Sequence, residues 1–374
     1  MTLLIAWRNL VQDRVRFLAT LVGIVFSIVL MAVQTGMLIG FAQTSAGLVN
    51  NAGADIWVAP AGTTNVDQSA ILDKRMLYRV RGVPGVQEAS RLIVRFVPWR
   101  KPGGGTNLVI VVGSDPETGM GGPWNVTSGD RSSLTQPDRV MIDRLYAAKL
   151  GVSQVGDMVE ILARKAVIGG FTSGVRTFTQ SPYVFTSYDN ALKFTDVGDG
   201  DMSYVLVRAA PDVPPDDLAA RLRLTLGEVD VVTAPDFARR TQNYWLFTTG
   251  AGSALILGSV LGAIVGIVIV AQTLYAATME RIAEYATLSA IGARARYLNA
   301  IVIQQSLIAG GIGFAIAALI ALGLTTAARQ APAALILPPP VLAGLAVAAL
   351  LMCVVSSLLA VRKVMTIDPT SVFR

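Results

Sequence analysis

Four stretches of this chain carry no charged side chain: residues 17–54, 241–279, 297–328 and 330–361. They hold 38, 39, 32 and 32 residues, and each exceeds the ~20 apolar residues that cross a bilayer as a helix. Runs inside them such as VGIVFSIVLMAV and ILGSVLGAIVGIVIVA are apolar on every side, where a helix on a globular core would show one apolar stripe. The pattern predicts membrane helices at 17–41, 246–275, 297–325 and 341–361. The first is read as a retained anchor rather than a cleaved signal: its cationic lead is sixteen residues long, and no small-residue cleavage site closes it.

The segment 42–245 has a different pattern. Alternating or β-rich runs occur at 54–59, 89–97, 107–113, 157–163, 202–209 and 229–233. Helical patterns occupy 66–81, 143–150 and 215–226, the last opened by Pro214-Pro215-Asp216. Glycine-rich loops are expected at 103–105, 119–122 and 169–174. About 200 residues suffice for an independent core. The fold class expected is an α-helical membrane protein with four transmembrane helices and a large extracytoplasmic mixed α/β domain inserted between helices 1 and 2.

Composition agrees with this picture: 53% of the residues are hydrophobic and 15% charged, against about 25% charged in average soluble chains. The formal net charge of +6 raises the question of nucleic acid, which the placement of the charges answers. Segment 42–245 holds 21 basic and 21 acidic residues, and the flanks 1–16, 276–296 and 362–374 together hold 9 basic against 4 acidic. Arg329, in a turn at 326–340 with Pro332 and Pro338–Pro340, supplies the remainder. By the positive-inside rule the three basic flanks face the cytoplasm: an amphipathic N-terminal segment, a loop and a tail. The domain and the 326–340 turn then face the other side, so the basic balance is an orientation signal.

The enzyme classes open to the chain are few. It has no histidine, which excludes Ser-His-Asp and Cys-His catalysis and histidine-ligated zinc or haem. Its one cysteine, Cys353, lies in the apolar run AALLMCVVSSLL and reads as an inert small hydrophobe. None of the six lysines follows a glycine, so a P-loop is absent. If the protein uses ATP, another chain must bind it; no metal site or catalytic residue is expected here.

The loop AATMERIAEYATLSAIGARAR at 276–296 is the most informative segment. Apolar Met279, Ile282, Leu288 and Ile291 interleave with Glu280, Arg281 and Glu284, beside Tyr285, and Gly292 can end a helix. Two readings fit: an amphipathic helix that docks in a partner's groove, or a charged hairpin between two spans. In the second span, Gly258, Gly262 and Gly266 share one face, which permits close approach of another helix. That face suits a dimer seam or packing within the same four-helix unit. The stretch 234–247, APDFARRTQNYWLF, is expected to form a helix running continuously into the second span, with Tyr244 and Trp245 at the membrane interface.

At the loop, Glu280, Arg281, Glu284, Leu288, Ala290, Ile291, Gly292 and Ala293 resemble the coupling segment of ABC transporter permeases of the MacB/FtsX (mechanotransmission) class. The opening WRNL…R…L…GI pattern, the ending Arg362-Lys363…Ile367-Asp368-Pro369…Arg374 and the strand end Val112-Gly113-Ser114-Asp115-Pro116 are similar to the same class. So is the block Val140-Met141-Ile142-Asp143…Leu150-Gly151…Val155-Gly156-Asp157. Without a fused ATPase, the chain most resembles the DevC branch. The resemblance implies a homodimeric permease of the bacterial inner membrane with a MacB-like periplasmic domain. Its implied partners are a separate ABC ATPase, which would itself bind ATP and magnesium and dock on the coupling segment, an HlyD-like adaptor and an outer-membrane channel. It implies efflux of a lipid or amphiphilic cargo; FtsX-like control of cell-wall hydrolases and lipoprotein release share the scaffold.

Overall fold

The computed structural model describes residues 2–68, 70–179, 181–280, 295–328, 331 and 334–365. The chain divides into two compact units. One comprises Met1–Ile39, Ser253–Arg329 and Leu335–Arg374, the other Gly40–Gly252 with Gln330–Ala334.

The first unit contains four helices long and apolar enough to cross a membrane. The first span runs Arg14–Ser45, the second Ala251–Glu280, the third Ala295–Ala328 and the fourth Pro339–Met365. A shorter helix, Thr2–Gln12, precedes them. Asp13 starts the first span: its carboxylate accepts from the backbone N–H of Arg16 at 3.1 Å, satisfying a donor that a helix start leaves open. The unit's core joins Ile24, Ile28, Met31, Val270, Leu274, Val302, Ala349 and Met352. Cys353 is buried among them and lies against Gly310.

The second unit is built on ten strands: β1 (Ile56–Pro60), β2 (Val86–Arg100), β3 (Thr106–Ser114), β4 (Val126–Gly129), β5 (Arg139–Asp143), β6 (Met158–Ile161), β7 (Arg164–Thr172), β8 (Tyr183–Ser187), β9 (Tyr204–Ala209) and β10 (Val229–Thr233). Their order is β10-β1-β9-β2-β3-β8-β5-β7-β4, and β6 pairs with both β2 and β7. That double pairing closes β2, β3, β8, β5, β7 and β6 into a ring, with parallel pairs at β3–β8 and β5–β7. Each ring strand gives residues to one core cluster, among them Val97, Val109, Ile142, Ile161, Ile168 and Val184. Leu92, Val94, Ile110 and Phe185 point to a second cluster with Leu48 and Phe237, as the two-residue period of a strand requires. The first and last strands are direct neighbours, Ile56 opposite Thr233.

The sequence expectation is corrected in several places. The described residues of 66–74 are not helical: Asn65 Oδ1 accepts from the N–H of Asp67 and Gln68 at 3.1 and 3.0 Å and makes a turn. Leu72 then bridges to Met202, and the helix is Arg75–Arg81. The expected loop at 169–174 is largely strand β7. Its glycines make room for neighbours, since a Cβ on Gly170 would stand 2.5 Å from the carbonyl oxygen of Ser128 in β4. The 143–150 segment begins as the last residue of β5, then makes a 3-10 turn, Arg144–Tyr146, and one helical turn, Ala147–Leu150. The helix from 234 ends at Asn243, becomes a π-helical turn over Tyr244–Thr248, and breaks at Gly250 with φ +78° before the second span. It is therefore not continuous.

Candidate coupling site

Of the predicted coupling residues, Met279 and Glu280 are the last described residues of the second span. Arg281, Ile282, Glu284, Tyr285, Leu288, Ile291 and Gly292 lie outside the described residues. Met279 is half-buried and Glu280 exposed. Glu280 holds the guanidinium of Arg16, 264 residues away in sequence: Nη1 and Nη2 each donate to one carboxylate oxygen at 2.5 Å. Arg16 is also 3.7 Å from Asp13 through Nε. Beside the pair is a cleft of about 60 Å³, lined among others by Thr20, Thr273, Gln305 and Ser306. Leu10, Phe17, Val270 and Leu274 also line it, so its walls are more apolar than polar.

Gly258, Gly262 and Gly266 all face the first span within this chain. Cβ atoms there would meet Gln34, then Leu30 and Met31, then Ser27 together with Met352 of the fourth span. The close approach that the glycine face permits is thus made to the chain's own helices. Sequence reasoning missed two companions, Gly23 against Ile269 and Gly313 against Ile24. The spans are further tied by hydroxyls: Ser356 Oγ donates to the carbonyl of Ile267 at 3.1 Å, and Thr35 and Ser259 are 3.4 Å apart. Such bonds hold where water does not compete.

In the β-rich unit, the acidic residues of the recognised motifs organise turns. Asp115 receives the Arg91 side chain at 2.6 and 3.2 Å and the Arg91 N–H at 3.0 Å, while the same guanidinium stacks 3.7 Å from the centre of the Tyr188 ring. Asp143, buried, accepts from Leu145 N–H, Thr172 Oγ1 and Val175 N–H at 2.7–3.0 Å. Burial nevertheless pushes its carboxyl above the usual range. Asp157, half-buried, is held below that range by the N–H groups of Ser153 and Gln154.

Trp245, expected at a membrane interface, turns its ring into this unit. Its centroid is 4.9 Å from that of Phe178, which in turn packs on Phe41 at 3.7 Å. The indole N–H donates to Asp67 at 3.2 Å, and the Tyr183 hydroxyl reaches the same carboxyl at 3.3 Å. Burial is the larger influence and pushes Asp67 up to about 6. Nothing in the local sequence marks Asp67, because its partners lie 116 and 178 residues away.

Comparison with known proteins assigns the class. Residues 17–224 match the family model described as the MacB-like periplasmic core domain, and residues 241–369 match the FtsX-like permease C-terminal model. The chain belongs to the MacB/FtsX family of ABC transporter permeases, as a membrane protein with a periplasmic core domain. An uncharacterized ABC transporter permease of Mycobacterium tuberculosis is 26% identical over 371 residues, 98% of each chain. Another, from Mycobacterium bovis, is 25% identical over 352 residues, 94% of this chain and 93% of its own. The periplasmic region of MacB from Actinobacillus actinomycetemcomitans superposes at a TM-score of 0.39 and 12% identity, over 51% of this chain and 94% of that one.

Proposed function

We propose that this chain is the permease subunit of an ABC-type export or mechanotransmission complex of the inner membrane, most like the DevC branch. A separate ATPase docks on residues 279–292 at the cytoplasmic face. Two permeases pair, and ATP-driven closure of the ATPases changes the conformation of the periplasmic domain. With an HlyD-like adaptor, this drives efflux of a lipid or amphiphilic cargo.

The observation that carries the reading is the first span. It is one unbroken helix of 32 residues, about 48 Å at 1.5 Å per residue, against a hydrocarbon core of about 30 Å. Its first turn is tied to Glu280, at the start of the docking segment. A rod of that length, held there, can carry displacement past the bilayer. Few charges enter the spans, which favours moving force over moving a polar solute through them.

The test is co-expression of the full chain with an ABC ATPase subunit and an HlyD-like adaptor, followed by purification of the assembly. A stable three-part complex that loses the ATPase when residues 279–291 are scrambled is the expected result. ATPase docking that survives the scramble rejects the coupling segment. Recruitment of a cell-wall hydrolase in place of an adaptor rejects export.

A further inference from the structure

The pair formed by Arg16 and Glu280 is placed and shaped to do more than hold two helices together. Glu280 is the last described residue of the second span, and residues 281–292 follow it in sequence. Both its oxygens are engaged by one planar guanidinium, so the bond fixes direction as well as distance. Arg16 does not hang from a loose end. Asp13 caps its helix and flanks its Nε, and its carbonyl accepts from Thr20 Oγ1 at 2.9 Å. Next to the pair lies a small cleft in which Thr20, Thr273, Gln305 and Ser306 stand among apolar side chains such as Phe17 and Leu274. With Glu280 61% exposed, an ion pair of this kind adds little to folding stability. A stability role therefore accounts poorly for its two-point geometry.

We propose that Arg16 is the positioning residue of the coupling segment: its forked grip on Glu280 makes the start of the first span and the root of residues 281–292 move as one body. The inference rests on the reading above that an ATPase docks on that segment. It reassigns Glu280, whose role is to receive Arg16 within the chain rather than to touch the ATPase. Arg16 lies outside every segment that sequence reasoning connected to coupling.

The test uses the full-length chain in nanodiscs, with Arg16→Gln, Arg16→Lys, Glu280→Gln and the exchange Arg16→Glu with Glu280→Arg. The first readout needs no partner: hydrogen exchange of the amides in 276–292 should rise at least about threefold in the three single variants and recover in the exchange. The second is ATP turnover by the ATPase that co-purifies with the chain. The single variants should lower kcat about tenfold at unchanged KM with the ATPase still bound, and the exchange should recover most of it. Arg16→Lys should fail like Arg16→Gln, because a point charge lacks the fork. Wild-type exchange and turnover in Arg16→Lys, or an exchange variant no better than the singles, would overturn the proposal. If the hydrogen-exchange pattern appears but no ATPase binds, the positioning stands and the docking reading fails.

Discussion

The indole Nε1 of Trp245 donates to the carboxyl of Asp67 across 3.2 Å, joining the π-helical turn at Tyr244–Thr248 to the loop that follows β1. Asp67 also takes the hydroxyl of the fully buried Tyr183. Two neutral donors do not offset the loss of water around a carboxylate, which is why the group titrates near 6 rather than 3.8.

The sign of the resulting pH dependence is fixed. A carboxyl whose folded value is raised binds its proton more tightly in the folded state, so its contribution is full below about 4 and is lost as pH rises through about 6. The total swing is about 3 kcal/mol. Asp67→Asn should melt close to wild type at pH 4 and above it at pH 7.5, measured on the full chain in detergent. A gap between the two proteins that does not change with pH would show that Asp67 is not the responsible group.

Glycines in the spans separate into two kinds. At Gly266 a Cβ would strike Met352 and stand 2.8 Å from Ser27, whereas at Gly311 nothing lies within 4 Å. Gly266→Leu should cost about 1–3 kcal/mol by overpacking and lower the melting temperature of the single chain. Gly311→Ala should be neutral or gain up to about 1 kcal/mol from helix propensity. Equal effects at the two sites would contradict the packing described.

Asp115→Ala leaves the Arg91 guanidinium without its carboxylate while Tyr188 still covers one side of it. Bonds to charged groups of this type contribute about 1.5–3 kcal/mol. Thermal unfolding of the full chain should shift down by about 3–12 °C. Arg91→Lys, with Asp115 kept, should lose most of the same stabilisation, since lysine cannot make the same forked contact.

Gly170→Val should detach the short edge strand β4, because the new side chain would meet Ser128 O and Met141. Hydrogen exchange at residues 126–129 should accelerate, with a global cost of about 1–3 kcal/mol. Unchanged protection of β4 would mean that its pairing with β7 does not depend on that glycine.

The spans were legible because burying a charge in lipid is costly wherever it occurs, so a gap between charges is a one-dimensional signal. Runs such as NLVIVVG and VDVVT likewise announced β3 and β10 through their own composition. What escaped was set by distant neighbours. β7 looked like a loop because Gly169 and Gly170 answer to Ser133 and β4. β8, YVFTS, is short and gains its place by lying between β3 and β5. The 66–74 stretch has helical composition, but the Asn65 side chain outcompetes the helix for its backbone donors. At the coupling site, the sequence pattern offered Met279 and Glu280 as coupling residues, yet the side-chain partner of Glu280 is 264 positions away, where no spacing rule reaches.

The pairing of β1 with β10 places residue 56 directly across from residue 233, so the first and last strands of the inserted unit lie side by side at one edge of its sheet. Closing a loop of that length is entropically inexpensive and grows slowly with length, and the β1–β10 ladder holds the closure shut. The periplasmic domain is in this sense a cassette. Its size can change, and its contents can be rebuilt, while the two strands at its mouth keep its own ends together. A chain built this way can alter what it meets outside the membrane without redesigning the part that crosses it.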